Sequence, residues 1–160
     1  MVLLREDDIV HWKNMAFSEL TLDELYELLQ LRVDVFVVEQ NCPYPELDDK
    51  DRLTGSRHLM GMNDEGKMMC YARILPPGVS YPDTSIGRVL VEKEARGGGK
   101  AFELMQQAID IAFEHWPTNN IQLGGQAYLV GFYEALGFKT VSDVYLEDNI
   151  PHVDMLLEVN

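Results

Sequence analysis

The chain has 160 residues, 46% hydrophobic and 25% charged, which is the profile of one soluble globular domain spanning 1–160 and excludes a disordered or fibrous chain. Thirteen basic against 27 acidic residues give a net charge of −14, which argues against nucleic acid as the main partner because phosphate binding needs a basic face. No apolar run approaches the roughly 20 residues of a membrane span, so no membrane partner is expected, and Met1 to Asp8 lacks the basic-then-apolar pattern of a secretory signal.

In chain order, residues 10–17 read as a first strand. Residues 21–38 read as a helix. Thr21 and Glu24 form a capping box, and Leu22, Leu25, Leu28, Leu29, Val33 and Phe36 follow at helical spacing. Residues 57–62 and 67–75 read as strands joined by Asn63-Asp64-Glu65-Gly66, which is hairpin chemistry. A short strand is expected over 86–91 and a second long helix over 101–116. That helix carries Ala101, Met105, Ala108 and Ala112 on one face and is stopped by Pro117. A strand over 121–123, a third helix over 126–136 and closing strands over 139–145 and 153–159 complete the pattern. Gly137 sits where a helix-ending glycine belongs. Helices interleaved with strands imply a mixed α/β fold, a sheet with helices packed on its faces. The unit over 86–123 should be a right-handed crossover between parallel strands.

The informative stretch runs from Arg88 to Ala101. A strand ends, Gly97-Gly98-Gly99 turns the chain, and a long helix begins. Such a turn lets several backbone N–H groups point at one anion, and the helix N-terminus adds unpaired donors and the positive end of its dipole. Arg88, Lys93, Arg96 and Lys100 oppose Glu92 and Glu94, a local balance of 4 − 2 = +2 within a chain of −14. A phosphate-bearing ligand fits that contrast; a solvated glycine turn is the competing reading. A P-loop is excluded, because Glu94 stands where its first glycine belongs and Ala101 where it needs Ser or Thr. A dinucleotide fingerprint is excluded because residue 102 is Phe.

Arg96-Gly97-Gly98-Gly99-Lys100-Ala101 matches [RQ]-x-x-G-x-[GA], and Leu123 to Phe138 ends in F-Y-x-x-x-G-F. Together these blocks resemble the acyl-coenzyme-A loop and the second motif of the GNAT (GCN5-related) N-acetyltransferases. Leu31 to Gln40, Cys42 to Asp48, Asp51, His58 and the late Glu147 to His152 resemble the ElaA-like branch. The resemblance implies the GNAT fold, a central mixed and mostly antiparallel sheet with helices on both faces. It also implies acetyl-CoA as cosubstrate and transfer of its acetyl group to an amine of a small molecule or peptide, by direct attack in a ternary complex. It puts the pyrophosphate on Arg96, Gly97, Gly98, Gly99, Lys100 and Ala101, and the pantetheine arm along Val89, Leu90 and Val91, where that strand splays from its parallel neighbour. Gln126 stands where many relatives carry an asparagine toward the arm, and Lys100 replaces a commoner aliphatic residue.

The same resemblance gives Tyr133 the position of the acid that protonates the leaving thiolate, and a backbone N–H near Leu90 or Val91 the oxyanion. An interior aromatic on a helix stripe is the alternative for Tyr133. An alkylamine with a pKa near 10.4 must lose a proton before it attacks. Glu39, His152, Glu92 and His58 are the open candidates for that base. No histidine pair has metal-ligand spacing, and 48–51 lacks the glycine and closing Glu of an EF-hand, so no metal is expected. Cys42 and Cys70 form no disulfide framework, which suits the cytoplasm. Glu39, Glu46, Asp48, Asp49 and Asp51, countered by Lys50, read either as a solvated loop or as a patch that draws in a cationic acceptor. An acyl-homoserine-lactone-synthase-like enzyme and a non-catalytic acyl-CoA-binding module are the rival functions. A homodimer stays open.

Overall fold

The computed structural model describes residues 9–160, so the reading of the first eight lies outside the described residues. The elements are β1 (His11–Ala16), α1 (Leu22–Val33), β2 (Arg57–Met62), β3 (Met68–Leu75), β4 (Thr84–Val91), α2 (Lys100–His115), β5 (Ile121–Gln126), α3 (Val130–Ala135), β6 (Lys139–Thr140), β7 (Tyr145–Glu147) and β8 (Ile150–Leu157). One eight-stranded sheet runs β1-β2-β3-β4-β5-β8-β6, with β7 also on β8. Among the described residues only β4 and β5 pair parallel, as the crossover through α2 requires; the other pairs are antiparallel.

Helices cover both faces. On one, Leu104, Met105, Ala108 and Ala112 of α2 pack with Tyr133 of α3 against Cys70, Ala72, Ile74, Ile86, Ile121 and Met155. On the other, Leu28, Leu31 and Val35 cover Met60, Tyr71 and Leu90. Both caps of α1 read from the sequence are present: Thr21 Oγ1 accepts from the Glu24 N–H, and Glu24 accepts from the Thr21 N–H.

Four expected elements have other bounds, each for a local reason. The first helix leaves α geometry after Val33 and continues as a π-helical turn over Asp34–Glu39, a form that recurs at functional sites. Gly124, Gly125 and Gln126 belong to β5, because β8 pairs with them opposite Asp154, Val153 and His152; the expected third helix therefore starts after a 3₁₀ turn over Ala127–Leu129. The expected strand over 139–145 is split. Ser142 Oγ accepts from the Asp154 N–H in place of a strand partner, and pairing resumes at Tyr145. β8 starts at Ile150 because Asp148 and Asn149 make its hairpin turn at φ 48° and 66°, a conformation that Asp and Asn tolerate.

The feature that positions the site is a gap. β4 pairs with β5 at Thr84 and Ser85 only, and beyond Ser85 the two strands part. In the same stretch β4 carries one extra residue against β3: Tyr71 faces Leu90 and Arg73 faces Gly87. Arg88 in this bulge takes φ 53°, a costly value for a residue with a side chain.

Gly61 illustrates how tightly the sheet is packed under α2. A Cβ there would run into Cys70 Sγ and stand 2.9 Å from both Trp12 and Val10. Gly61→Ala is expected to lower unfolding stability by about 1–3 kcal/mol in urea titrations, the range for overpacking a filled core.

Candidate active site

A cleft of about 1130 Å³ runs along the gap between β4 and β5. At one end lie Arg96, Gly97, Gly99, Lys100, Ala101 and Phe102, while Gly98 faces the depression behind the turn. Along it lie Val89, Leu90, Val91, Leu123 and Gln126. At the other end lie Tyr44, Asp48, Arg73, Arg88, Tyr81, Glu147 and His152.

The glycine turn has the geometry the sequence suggests. Gly97, Gly98 and Gly99 have φ of 97°, 67° and 77°, and Gly99 is the N-cap of α2. Cβ atoms at Gly97 or Gly99 would meet no protein atom within 4 Å, so the space beside the backbone is open to a ligand. A concave run of left-handed residues at a helix N-terminus suits an anion. Arg96 braces the turn: its Nε donates to the Val91 carbonyl at 2.9 Å, and its Nη2 reaches both Glu39 oxygens at 3.0 and 2.8 Å. Lys100 is buried at the helix start and lines the same end of the cleft.

Tyr133 sits on the helix-covered face. Its ring lies over Gly125, where a Cβ would approach within 2.8 Å, and edge-on to Phe132 and Phe138. Burial and the neighbouring Tyr128 push its pKa up to about 12, so its hydroxyl is protonated at neutral pH. His152 sits on the opposite face. Val153 and Met155 point into the α2 core, so by strand alternation His152 and Asp154 point away from it. The His152 Nδ1–H donates to the Ile150 carbonyl at 2.7 Å, which leaves Nε2 toward Glu147 Oε2 at 3.5 Å. The Tyr145 ring stacks on the imidazole at 6.1 Å and 24°. Tyr145 and Tyr81 both donate to Asp154 Oδ1, at 2.7 and 3.2 Å. Gly124 leaves room for this cluster, since a Cβ there would stand 2.8 Å from the Tyr145 hydroxyl.

The remaining candidates lie elsewhere. Glu92 faces a separate depression behind the glycine turn. His58 is 0% exposed, with Nε2–H donating to the Asp51 carbonyl at 3.0 Å and Nδ1 accepting from the Tyr71 hydroxyl at 2.7 Å. Burial pulls its pKa down and holds it neutral.

All five carboxylates of the acidic segment are paired. Glu39 meets Arg96, and Asp49 meets Arg52. Glu46 meets Arg32 at 2.7 Å and Arg88 at 2.8 Å; Asp51 meets Arg32 at 2.7 Å and Arg73 at 3.0 Å; Asp48 meets Arg73 at 2.8 Å through both oxygens. Arg32 is 0% exposed and lies over the Tyr71 ring. Glu46, Asp48 and Asp51 are thus held by arginines in little water, while Asp49 and Glu39 pair at the surface. The sequence reading missed the role of Arg32, although a charge between Leu28, Leu31 and Val35 on a buried stripe is a visible signal. It gave no role to Tyr81, Tyr145 or Asp154; β7–β8 pairing brings Tyr145 near Asp154, and Tyr81 reaches them from the loop before β4. Among the described residues no group of three or more His, Cys, Asp or Glu side chains could hold a metal ion, and no helix is long and apolar enough to cross a membrane.

The family model for the acetyltransferase (GNAT) domain matches residues 33–159. Protein ElaA of Escherichia coli K12 is 43% identical over 152 residues, covering 94% of this chain and 98% of that one. The crystal structure of an acyl-CoA N-acyltransferase from Pseudomonas aeruginosa superposes with a TM-score of 0.89 at 42% identity, covering 94% of this chain and all of the other. A CoA-dependent acyl-homoserine lactone synthase solved with SAM and isopentyl-CoA shares the fold, with a TM-score of 0.76 at 15% identity over 94% of this chain and 84% of that one.

The arginine–carboxylate cluster predicts the acid limb of stability. Burial works against ionised Asp48, but Arg73, the Lys50 N–H and Arg88 outweigh it and pull its pKa down to about 2. A depressed carboxylate stabilises the fold above its unfolded pKa, near 3.9, and that contribution is lost as pH falls through the folded value. His58, depressed from about 6.5, makes the native state lose ground already below that pH. Urea midpoints should therefore fall gently from pH 6.5 and steeply between pH 4 and 2. Asp48→Asn should flatten the lower step and leave the upper one.

Proposed function

The chain belongs to the GNAT acetyltransferase family, and from that premise we propose that it transfers an acetyl group from acetyl-CoA to the amine of a small molecule or peptide. The observation that carries the reading is the parting of β4 and β5 beyond Ser85, with three left-handed glycines at one end of the gap. The N–H groups of Arg96 to Ala101 take the pyrophosphate, helped by the positive end of α2. Val89, Leu90 and Val91 flank the pantetheine arm with backbone that the missing strand pairing leaves available, and Gln126 approaches it from β5. The arm delivers the thioester.

Tyr133 supplies the proton that the departing thiolate takes. A hydroxyl kept protonated by burial is suited to donate, and its face of the gap is the apolar one. A backbone N–H near Leu90 or Val91 meets the developing oxyanion. The acceptor enters from the face of Tyr44, Tyr81 and His152. Because carboxylates 39–51 are already held by arginines, a second positive charge on the acceptor is met instead by Asp148 on the hairpin at the cleft. The unbridged Cys42 and Cys70 are consistent with a reducing cytoplasm.

Acetyl-CoA at 100 times its Kd should stabilise the protein by about 2.7 kcal/mol, a Tm rise of roughly 5–10 °C for a chain of this size. Gly99→Leu should remove the rise, because its side chain fills the open space beside the turn. No rise in the wild type at millimolar acetyl-CoA would contradict the reading. With an amine panel and thiol detection, Tyr133→Phe should cut turnover about 10- to 1000-fold and keep the Tm rise.

A further inference from the structure

We propose that His152 is the base that takes the proton from the acceptor amine, and that Glu147 is the positioning residue that holds the resulting imidazolium. This rests on the acyl transfer proposed above and assigns the proton route on the acceptor side.

Four side chains compete for the role, and their surroundings separate them. Glu39 has both oxygens on Arg96, so protonating it would break the brace of the glycine turn. Glu92 faces a different depression. His58 has both ring nitrogens engaged inside the core. His152 alone among them lines the cleft with a ring nitrogen free of a hydrogen-bond donor. The Ile150 carbonyl can only accept, so it fixes the proton of neutral His152 on Nδ1 and leaves the Nε2 lone pair as the basic site. The ring cannot easily turn away: Tyr145 stacks on it and is itself tied to Asp154. Glu147 Oε2 stands 3.5 Å from Nε2, close enough to stabilise positive charge without occupying the lone pair.

The two faces of the gap then divide the protons. Nε2 of His152 takes one proton from the ammonium form of the acceptor. The freed lone pair forms the C–N bond, the C–S bond breaks, and its electron pair leaves on sulfur. Tyr133 protonates that sulfur from the other face. The second proton lost by the nitrogen restores Tyr133 through solvent, and His152 returns its proton to water. The sum is an amide, a free thiol and one released proton.

The groups that face His152 are Glu147 and Tyr145 from β7, Gln126 from β5, and Asp154 and Tyr81 behind Tyr145. The test compares two acceptors, the best alkylamine of the panel and an arylamine, which is already neutral at pH 7. His152→Gln should lower kcat/KM for the alkylamine about 100-fold at pH 7 and for the arylamine less than fivefold. The alkylamine rate should recover as pH approaches the amine's own pKa. Glu147→Gln should lower kcat/KM for the alkylamine by a smaller factor than His152→Gln and leave the arylamine rate unchanged, because the imidazolium loses its partner. The acetyl-CoA-induced Tm rise should survive in both variants, which separates a lost base from a lost fold or cofactor site. Equal losses with both acceptors, or an unchanged alkylamine rate in His152→Gln, would overturn the assignment while leaving the acyl transfer intact. A wild type that releases no thiol with any amine would overturn both.

Discussion

Six charges in little water hold this molecule's working end together. Arg32, Arg73 and Arg88 come from α1, β3 and β4; Glu46, Asp48 and Asp51 come from one loop, and the ion pairs between them tie that loop to all three elements. Sequestering an arginine completely, as for Arg32, is tolerable only because its guanidinium meets Glu46, Asp51 and the Glu46 carbonyl at once. Each of the six has two partners, so removing one leaves those two with a single ion pair each and the cluster with an unbalanced charge in little water. The rigidity has a structural use. Arg88 occupies the strained residue of the β4 bulge, and its Nε bond to Glu46 holds it there. The bulge accompanies the departure of β4 from β5, so the cluster stands at the origin of the cleft.

The gap gives the sheet two chemically different sides at one point. Toward α2 and α3 the walls are apolar, and Tyr133 lies among Phe132, Phe138 and Gly125. Toward the loop and the β7–β8 hairpin they are polar, with His152, Glu147, Tyr81 and Asp154. An acyl transfer needs a proton given on the leaving side and taken on the attacking side. A single residue layer separates these two environments, and Gly124 and Gly125 keep it thin, the first for the tyrosines on one side and the second for Tyr133 on the other.

The sequence announced the parts that depend on local pattern. The capping box at Thr21, the hairpin at 63–66, the long helix after the glycine turn and the two motif blocks all read correctly, because each is specified by residues a few positions apart. What it concealed depends on pairing across the chain. Gln126 reads as the start of a helix, yet β8 claims it, with Gly124 and Gly125, as strand. The acidic segment carries almost no basic residues within it, so it reads as a solvated loop or a free negative patch. The counter-ions of Glu46, Asp48 and Asp51 stand 14 to 42 positions away in sequence. Choosing among four candidate bases likewise required knowing which ring nitrogens were already engaged.

The most direct test of this account is a crystal structure of the protein with coenzyme A. The account predicts pyrophosphate oxygens within hydrogen-bond distance of the N–H groups of residues 97–101. It also predicts the pantetheine arm lying between β4 and β5, with its sulfur between Tyr133 and the face that carries His152. A coenzyme bound outside the gap, or with its sulfur directed away from Tyr133, would contradict it.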